Sequence, residues 1–319
     1  MRASLQPMLD LLDEGLRLYR RGFVGFVLLA ALWLVPVAIG IGLSIAAIRF
    51  WGENALLLLL LGWMLLLVPL VGYLIGGLSR ATLAIQQEQP IRVAQALAIP
   101  PLRVAGMGCY SIVLYIITNI LFSIVSIACF CPLYFVMFAG FSGIGAFASE
   151  AGNVGSILAV IVRVLLVLVI ILFYGASLVL SGATYSVLVY GMQPFVLESN
   201  TAGETIQRSI DLLTYRFGTN LLAFVLTSAI FGALTVAVTI AIGVLLPLPL
   251  FIALGEESLV AQGVSASAWL LGLIVVIPPV PIWMVLLYQR NVVARYGTDL
   301  AERIGAVTRQ PAVGSEPDI

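Results

Sequence analysis

Six long apolar runs, separated by short polar segments, dominate the hydrophobic pattern of this sequence. They cover Phe23–Ile48, Ala55–Leu78, Val104–Ala148, Ser156–Tyr190, Thr219–Leu254 and Ser267–Tyr288. A transmembrane helix needs about 20 apolar residues, because the hydrocarbon core of a bilayer is about 30 Å thick. Each run is therefore long enough to cross a membrane. The pattern predicts an all-α, polytopic membrane protein with six transmembrane helices.

The third run, Val104–Ala148, leaves the number of crossings open. It is longer than one span requires, and Pro132 interrupts it. Proline removes a backbone donor and favours a helix break, and three glycines weaken the helix beyond that point. These are Gly140, Gly143 and Gly145. One bent helix, one helix followed by a re-entrant segment, and two separate spans all fit this run.

The distribution of arginine favours six crossings. All fifteen basic residues are Arg, and with six spans thirteen of them fall in the four segments on one side of the membrane. Basic residues of short loops stay in the cytoplasm. We therefore expect a multi-pass protein of the bacterial cytoplasmic (inner) membrane with both termini in the cytoplasm. Residues 1–304 form one transmembrane domain, and the Pro, Gly and Ser content of 305–319 predicts a disordered cytoplasmic tail.

The first polar segment carries an amphipathic pattern. Leu5, Leu9, Leu12, Leu16 and Tyr19 recur at spacings of three and four, and charged residues lie largely off that stripe. This spacing predicts a helix with one apolar face. Such a helix suits the membrane surface or the underside of a helix bundle.

A second amphipathic segment is Thr201–Thr214. Its first residue and Glu204 have the spacing of a capping box, in which two side chains satisfy the free N–H groups of a helix start. Ile206, Ile210 and Leu213 then form an apolar stripe. The segment is therefore predicted to be a helix that begins at this cap.

A third and weaker amphipathic candidate is Pro90–Ile99, which proline bounds at both ends. The three candidates precede the first, third and fifth apolar runs. The predicted fold is therefore three hairpins of two spans, each preceded by a cytoplasmic amphipathic helix. Two junctions are alike, since Tyr19-Arg20 and Tyr215-Arg216 both stand where a helix meets the membrane. An interfacial aromatic beside an arginine is a common anchor.

The residue types that carry common enzyme chemistry are scarce. The chain has no His, which excludes Ser-His-Asp and Cys-His nucleophile systems and zinc proteases with His ligands. Cys109, Cys129 and Cys131 lie in one apolar stretch without nearby carboxylates to complete a metal shell. We therefore expect no catalytic site, no metal and no cofactor. The zero net charge gives no reason to expect nucleic acid as a partner.

One charge, Arg163, lies inside an apolar run. It either reaches the headgroups with its long side chain or binds a lipid phosphate or another anion. Arg208 is a second candidate for such a contact. The inner parts of the spans contain no carboxylate, whereas ion-coupled transporters keep an ionisable residue near the midplane.

One stretch resembles a known bacterial membrane family. It comprises Gln193–Glu198, Glu204–Leu213 and Arg216–Gly218, and it is similar to the membrane domain associated with glycerophosphoryl diester phosphodiesterases and to stand-alone relatives of unknown function. The resemblance implies a multi-helix membrane domain with cytoplasmic amphipathic helices and no catalytic residues. Glu198 and Arg208 match the motif, and their implied role is to tie the loop to the amphipathic helix.

The sequence thus favours a non-catalytic membrane protein that acts as a scaffold, an assembly factor or a partner in a membrane complex. Its expected partners are the lipid bilayer and a membrane protein bound through the cytoplasmic amphipathic helices. The alternative is a transporter, channel or lipid-handling protein with an anion or lipid-phosphate site near Arg163. An intramembrane enzyme is the third class, but the sequence offers no polar cluster for it.

Overall fold

The computed structural model describes residues 2–40, 43, 53–100, 103–120, 122–124, 127, 152–198, 201–255 and 257–297, and these ranges contain helices and no strand. In chain order the helices are α1 (Arg2–Arg21), α2 (Phe23–Ala31), α3 (Glu53–Gln86), α4 (Val93–Ala96), α5 (103–120), α6 (Gly152–Leu197), α7 (Ala202–Tyr215), α8 (Phe217–Val238), α9 (Leu248–Leu254), α10 (Leu259–Val276) and α11 (Pro279–Tyr296). A π-helical segment, Thr239–Leu245, joins α8 to α9.

Five helical stretches of the described chain are long and apolar enough to cross a membrane. They are Phe23–Gly40, Arg103–Ile124, Gly175–Leu197, Phe217–Leu254 and Val260–Tyr296. Helix α3 additionally contains the predicted second run, Ala55–Leu78. The break expected at Pro132, the glycines that follow it and the tail over 305–319 all lie outside the described residues.

Two of the three predicted amphipathic helices are present, as α1 and α7. The capping box of α7 is confirmed. The Thr201 backbone N–H donates to Glu204 Oε2 at 2.9 Å, and the Glu204 N–H donates to Thr201 Oγ1 at 3.4 Å. This start fixes where α7 begins after the end of α6.

The face that α1 turns toward the protein differs from the predicted stripe. Leu9 is 54% exposed and Leu16 is 39% exposed, whereas the buried positions of α1 are shared by small, aliphatic and aromatic side chains. The buried set is Met8, Leu11, Leu12, Gly15, Leu18 and Tyr19. The apolar half of α1 is thus wider than the face that the protein covers: of the predicted stripe, Leu12 and Tyr19 are buried, whereas Leu9 and Leu16 are exposed.

Helix α7 shows the same displacement. The predicted stripe of Ile206 and Ile210 is exposed, while Thr205, Ser209 and Leu212 are buried. Thr205 and Ser209 can face inward because hydrogen bonds satisfy their hydroxyl groups, so their burial costs little free energy. Apolar periodicity alone therefore gave the helix and missed its inner face.

The helix predicted over Pro90–Ile99 was wrong. Only Val93–Ala96 is helical, and Arg92 before it is extended with no side-chain cap. Proline at position 90 and the extended residues after it leave room for a single turn. The segment instead supplies packing, because a Cβ on Gly22 or Gly25 would overlap the Ile91 side chain.

The last apolar stretch is divided by prolines into two helices. Pro278, Pro279 and Pro281 have no N–H group, so the carbonyls four residues earlier lose their helical donor. The predicted sixth run, Ser267–Tyr288, lies across this break. Helix α10 before the break is largely exposed, whereas residues 279–288 of α11 are all buried.

Helix α1 runs antiparallel along α11 rather than lying beneath the bundle end. Three hydrogen bonds mark the register: Arg290 Nη1 to the Pro7 carbonyl (2.9 Å), Trp283 Nε1 to the Leu12 carbonyl (3.0 Å), and the Tyr19 hydroxyl to the Val275 carbonyl (2.7 Å). The Val275 carbonyl is one that the prolines orphan, so Tyr19 replaces the missing donor. Gly15 permits this approach, because a Cβ there would overlap the Trp283 ring.

Small residues also bring α3, α5 and α6 together. A Cβ on Gly72 would lie 3.0 Å from Met192, and one on Gly76 would lie 2.6 Å from Met107. Gly72 and Gly76 therefore permit close packing of α3 against α5 and α6 within one chain. This packing places the C-terminal ends of α3 and α6 and the N-terminal end of α5 at the same end of the bundle.

Candidate functional site

Three ion pairs gather at one end of the bundle, which we call the charged end. Its members come from α1, α7, the last part of α11 and the residue after α6. The pairs are Glu14–Arg290 at 2.7 Å, Glu198–Arg208 at 3.0 Å and Asp211–Arg295 at 3.0 Å. All are partly exposed, so each pair by itself adds little stability. Together they fix α1 and α7 to the same final helix.

Glu198 is the centre of this end. Its Oε1 atom pairs with Arg208 and also accepts a hydrogen bond from the Tyr288 hydroxyl at 2.5 Å. Its backbone carbonyl accepts a bond from Arg103, which also donates to the Phe195 carbonyl at 2.9 Å. The two motif residues therefore lie together as the resemblance implied, but they also reach α5 and α11.

Arg208 is held on two sides. Its guanidinium carbon lies 4.7 Å from the centre of the Tyr296 ring, and one of its nitrogens pairs with Glu198. Its Nε atom is buried and has no hydrogen-bond partner. The Tyr296 hydroxyl in turn donates to Asp211 at 2.8 Å. The arginine is thus a positioned cation with one unused donor.

A shallow pocket of about 380 Å³ opens beside this arginine, lined by Glu204, Gln207, Arg208, Asp211 and Tyr296. Both carboxyl groups stay ionised near neutral pH. The Thr201 backbone N–H holds the pKa of Glu204 below its ordinary value. Hydrogen bonds from Tyr296, and then from Arg295, do the same for the pKa of Asp211. Two carboxylates against one arginine suit a basic group as occupant.

The buried side-chain amides of Asn291 and Asn220 form a pair one helical turn further into the bundle than the Asp211–Arg295 ion pair. Asn291 Nδ2 donates to the Tyr190 hydroxyl at 2.9 Å and to Asn220 Oδ1 at 2.8 Å. The Asn220 amide donates to the carbonyls of Leu212 and Leu213, which end α7. Asn220 therefore forms hydrogen bonds between helices. The pair joins α6, α7, α8 and α11.

The inward polar face of α7 has a definite partner. Ser209 Oγ donates to the Gly191 carbonyl at 2.9 Å, and the Tyr110 hydroxyl donates to the same carbonyl at 2.8 Å. The Tyr110 ring also stacks on Phe195, with centroids 5.7 Å apart. A serine at this position is therefore required by the carbonyl it faces, which the apolar pattern does not reveal.

The two Tyr-Arg junctions make equivalent bonds. The Tyr19 hydroxyl donates to a carbonyl of α10, and the Tyr215 hydroxyl donates to the Ala294 carbonyl of α11 at 3.2 Å. Arg20 is exposed, and Arg216 lies 5.3 Å from the centre of the Tyr215 ring. Burial raises the pKa of Tyr19 to about 12, so its hydroxyl keeps the proton it donates.

The other sequence candidates lie apart from the charged end or beyond description. Arg163 belongs to α6, and its side chain lies outside the described part of the chain. Cys109 is exposed, with a free thiol. Within the described ranges, no group of three or more His, Cys, Asp or Glu residues is placed to hold a metal ion.

Sequence reasoning missed Tyr288, Asp211 and Arg295 as members of the site. Tyr288 appeared only as the end of an apolar run, and 90 residues separate it from Glu198. Nothing local in the sequence signals these long-range partners. The available hint was the presence of charged residues on both α7 and α11, because Asp211 of α7 faces Arg295 of α11.

The long apolar helices, of which some are exposed along most of their length, indicate an integral membrane protein of the helical class. No protein-family model matches the sequence, and no curated protein or solved structure is significantly similar to it.

Proposed function

We propose that this chain is a non-catalytic membrane scaffold whose charged end binds a protein partner. It crosses the bacterial cytoplasmic membrane six times as three hairpins, with the charged end and both termini in the cytoplasm. The residues that resemble the phosphodiesterase-associated membrane domain, Glu198 and Arg208, serve as structural ties in this proposal.

The observation that supports the proposal is the way α1 and α7 hold α11 from two sides. Ion pairs to Arg290 and Arg295 and tyrosine hydroxyl bonds to backbone carbonyls fix the three helices in one arrangement. A surface that is already ordered loses little entropy when it binds. Rigid geometry with exposed charge favours recognition over a catalytic cycle that needs movement.

The pocket between α7 and α11 defines the chemistry of the partner. Glu204 and Asp211 give it a net negative charge despite Arg208. A lysine or arginine side chain of the partner fits there, because its charge meets the Glu204 carboxylate and that of Asp211 beside its pair with Arg295. The expected partner is a protein that carries a basic segment at the membrane surface.

A photocrosslinking amino acid at Gln207 tests this proposal. Gln207 is exposed and lines the pocket without joining an ion pair. After irradiation of intact membranes, we expect one discrete protein adduct. The matched control is the same substitution at Leu172, which is 74% exposed on α6 and should yield lipid adducts alone.

A charge-reversing variant supplies the second arm. Gln207→Arg places a cation at the mouth of the pocket and should abolish the adduct at a neighbouring position such as Gly203, whereas Gln6→Arg on α1 should leave it intact. An adduct at Leu172 as strong as that at Gln207, or no protein adduct at all, would refute a specific partner at this pocket.

A further inference from the structure

The exposed apolar residues of α1 and α7 remain unexplained by the bundle. On α1 they are Leu9 and Leu16, and on α7 they are Ile206 and Ile210. A soluble surface tolerates single exposed apolar side chains, but here two helices repeat the same arrangement. We call these two strips, Leu9–Leu16 and Ile206–Ile210, the apolar stripes.

Each helix has three faces in the same order. At 100° per residue, the packed face of α1 is centred on Gly15, and the exposed stripe with Leu9 and Leu16 lies about 100° around the axis from it. The charged residues follow beyond the stripe, on the side of Asp13 and Arg17, which pair with each other in solvent. Around the helix, the face packed on the protein is thus followed by the apolar stripe and then by the charged face, which meets water.

Helix α7 repeats this order. Its packed face holds Thr205 and Leu212, its apolar stripe holds Ile206 and Ile210, and its polar face carries Gln207 and the pocket residues. The stripe and the partner pocket lie on opposite flanks of the helix. One occupant does not cover both, so the stripe needs an environment of its own.

The stripes continue into the surface of the following helices. After Leu16, the exposed apolar residues of the chain are Phe23, Val24 and Leu28 of α2. After Ile210 they are Phe217, Leu221 and Val225 of α8. Both α2 and α8 belong to stretches long and apolar enough to cross a membrane. The environment that covers those spans is lipid, and it therefore extends onto the stripes.

Charge at the end of each stripe fits the same environment. Arg20 and Arg21 follow Leu16, Arg216 follows Ile210, and all three arginines are exposed. Guanidinium groups at the level where a helix enters the bilayer meet lipid phosphates.

We infer that the apolar stripes of α1 and α7 contact lipid at the headgroup and acyl-chain boundary of an anionic bilayer. Around each helix the bundle covers one side, lipid covers the stripe, and water reaches the charged face. This inference concerns the lipid contact and does not depend on a partner at the pocket.

Depth measurements by spin-label EPR test the inference on the full chain. The three cysteines are replaced by serine, and single cysteines are introduced as Leu9→Cys, Leu16→Cys, Ile206→Cys or Ile210→Cys. The labelled proteins are reconstituted in vesicles of phosphatidylethanolamine and phosphatidylglycerol. We expect stripe labels to collide more with oxygen than with a water-soluble nickel chelate, because the stripes face lipid.

Matched labels on the polar faces are the control. Asp10→Cys and Gln207→Cys are one residue from Leu9 and Ile206 and should show the opposite preference, for the nickel chelate. All labelled positions are exposed, and an unchanged thermal unfolding curve verifies the fold. Stripe labels that prefer the nickel chelate would overturn the inference. Stripe labels whose spectra are dipole-broadened, and sharpen on dilution with unlabelled protein, would overturn it in favour of a second copy.

Discussion

Helices α10 and α11 are two halves of one apolar stretch, yet their surroundings are opposite. Within the stretch from Val260 to Tyr296, the most apolar 18 residues have a mean hydropathy of 2.5. Trp269 of α10 is 37% exposed, whereas Trp283 of α11 is completely buried. Hydropathy therefore reports that a helix avoids water, but it does not distinguish lipid from protein as the alternative.

The proline break explains why the two halves differ. Each helix has 18 residues and a length of about 27 Å at 1.5 Å per residue. Together they are nearly twice as long as a 30 Å hydrocarbon core. The break lets α10 face lipid while α11 enters the protein, where α1, α3, α6 and α7 surround it. Substitutions matched between the two helices test this difference.

Removal of a tryptophan ring should separate the two helices most clearly. Trp283→Ala deletes a fully buried ring and its bond to the Leu12 carbonyl. The expected loss is about 3–5 kcal/mol of unfolding free energy, measured by circular dichroism during unfolding in SDS–detergent mixtures. Trp269→Ala is the control, and its loss should be much smaller because lipid or detergent fills the space. Equal losses would mean that α10 is packed as closely as α11.

Overpacking should come next in size. Gly15→Leu forces a side chain into the Trp283 ring and should cost about 1–3 kcal/mol, with α1 more readily cleaved by protease. Gly263→Leu in α10 meets no atom within 4 Å, so it should be neutral or slightly stabilising through helix propensity. A neutral Gly15→Leu would contradict the close contact of α1 with α11.

The buried amide of α11 offers a polar version of the comparison. Asn291→Leu removes two hydrogen bonds and leaves Asn220 Oδ1 buried without this donor, which should cost about 1–3 kcal/mol. Ser265→Ala in α10 removes one bond, to the Gly243 carbonyl. Hydrogen bonds between membrane helices average about 0.6 kcal/mol, so this variant should lose less in the same unfolding assay.

Acidification should have the smallest effect, and it should act on α7, through its pair with α11 and through its N-terminal cap. The pKa of Asp211 is lowered by Tyr296 and Arg295 of α11, and that of Glu204 by the Thr201 N–H. A lowered pKa contributes stability that is complete above the ordinary value near 4 and is lost as the pH falls through the folded value. We expect unfolding midpoints to be flat from pH 7 to 5 and to fall below pH 4. The Asp211→Asn variant should show a weaker fall, and an equal fall would exclude Asp211 as a source.

The sequence predicted helices better than it predicted their faces. The leucine spacing of the first segment and the Thr201–Glu204 pair identified α1 and α7 correctly. The stripe containing Leu9 and Leu16 was predicted to face either the membrane surface or the bundle, because periodicity locates an apolar face without naming what covers it. In a membrane protein two apolar environments compete for that face, so the pattern alone is ambiguous.

The charged end was predictable only in part. Glu198 and Arg208 were found through a resemblance that spans 26 residues of local sequence, from Gln193 to Gly218. Their companions Tyr288, Arg295 and Arg290 lie on α11, far along the chain, and depend on how the helices pack. Such contacts follow from the fold and leave no local pattern in the sequence.

The bond from Tyr19 to the Val275 carbonyl has a consequence for biosynthesis. Helix α1 leaves the ribosome well before its partners at Val275, Trp283 and Arg290, which follow their α1 contacts by 256, 271 and 283 residues. Until these partners are made, α1 lacks its contacts with α10 and α11. Membrane insertion of α10 and α11 and docking of α1 against them are therefore coupled, and the docking waits until α11 has been translated.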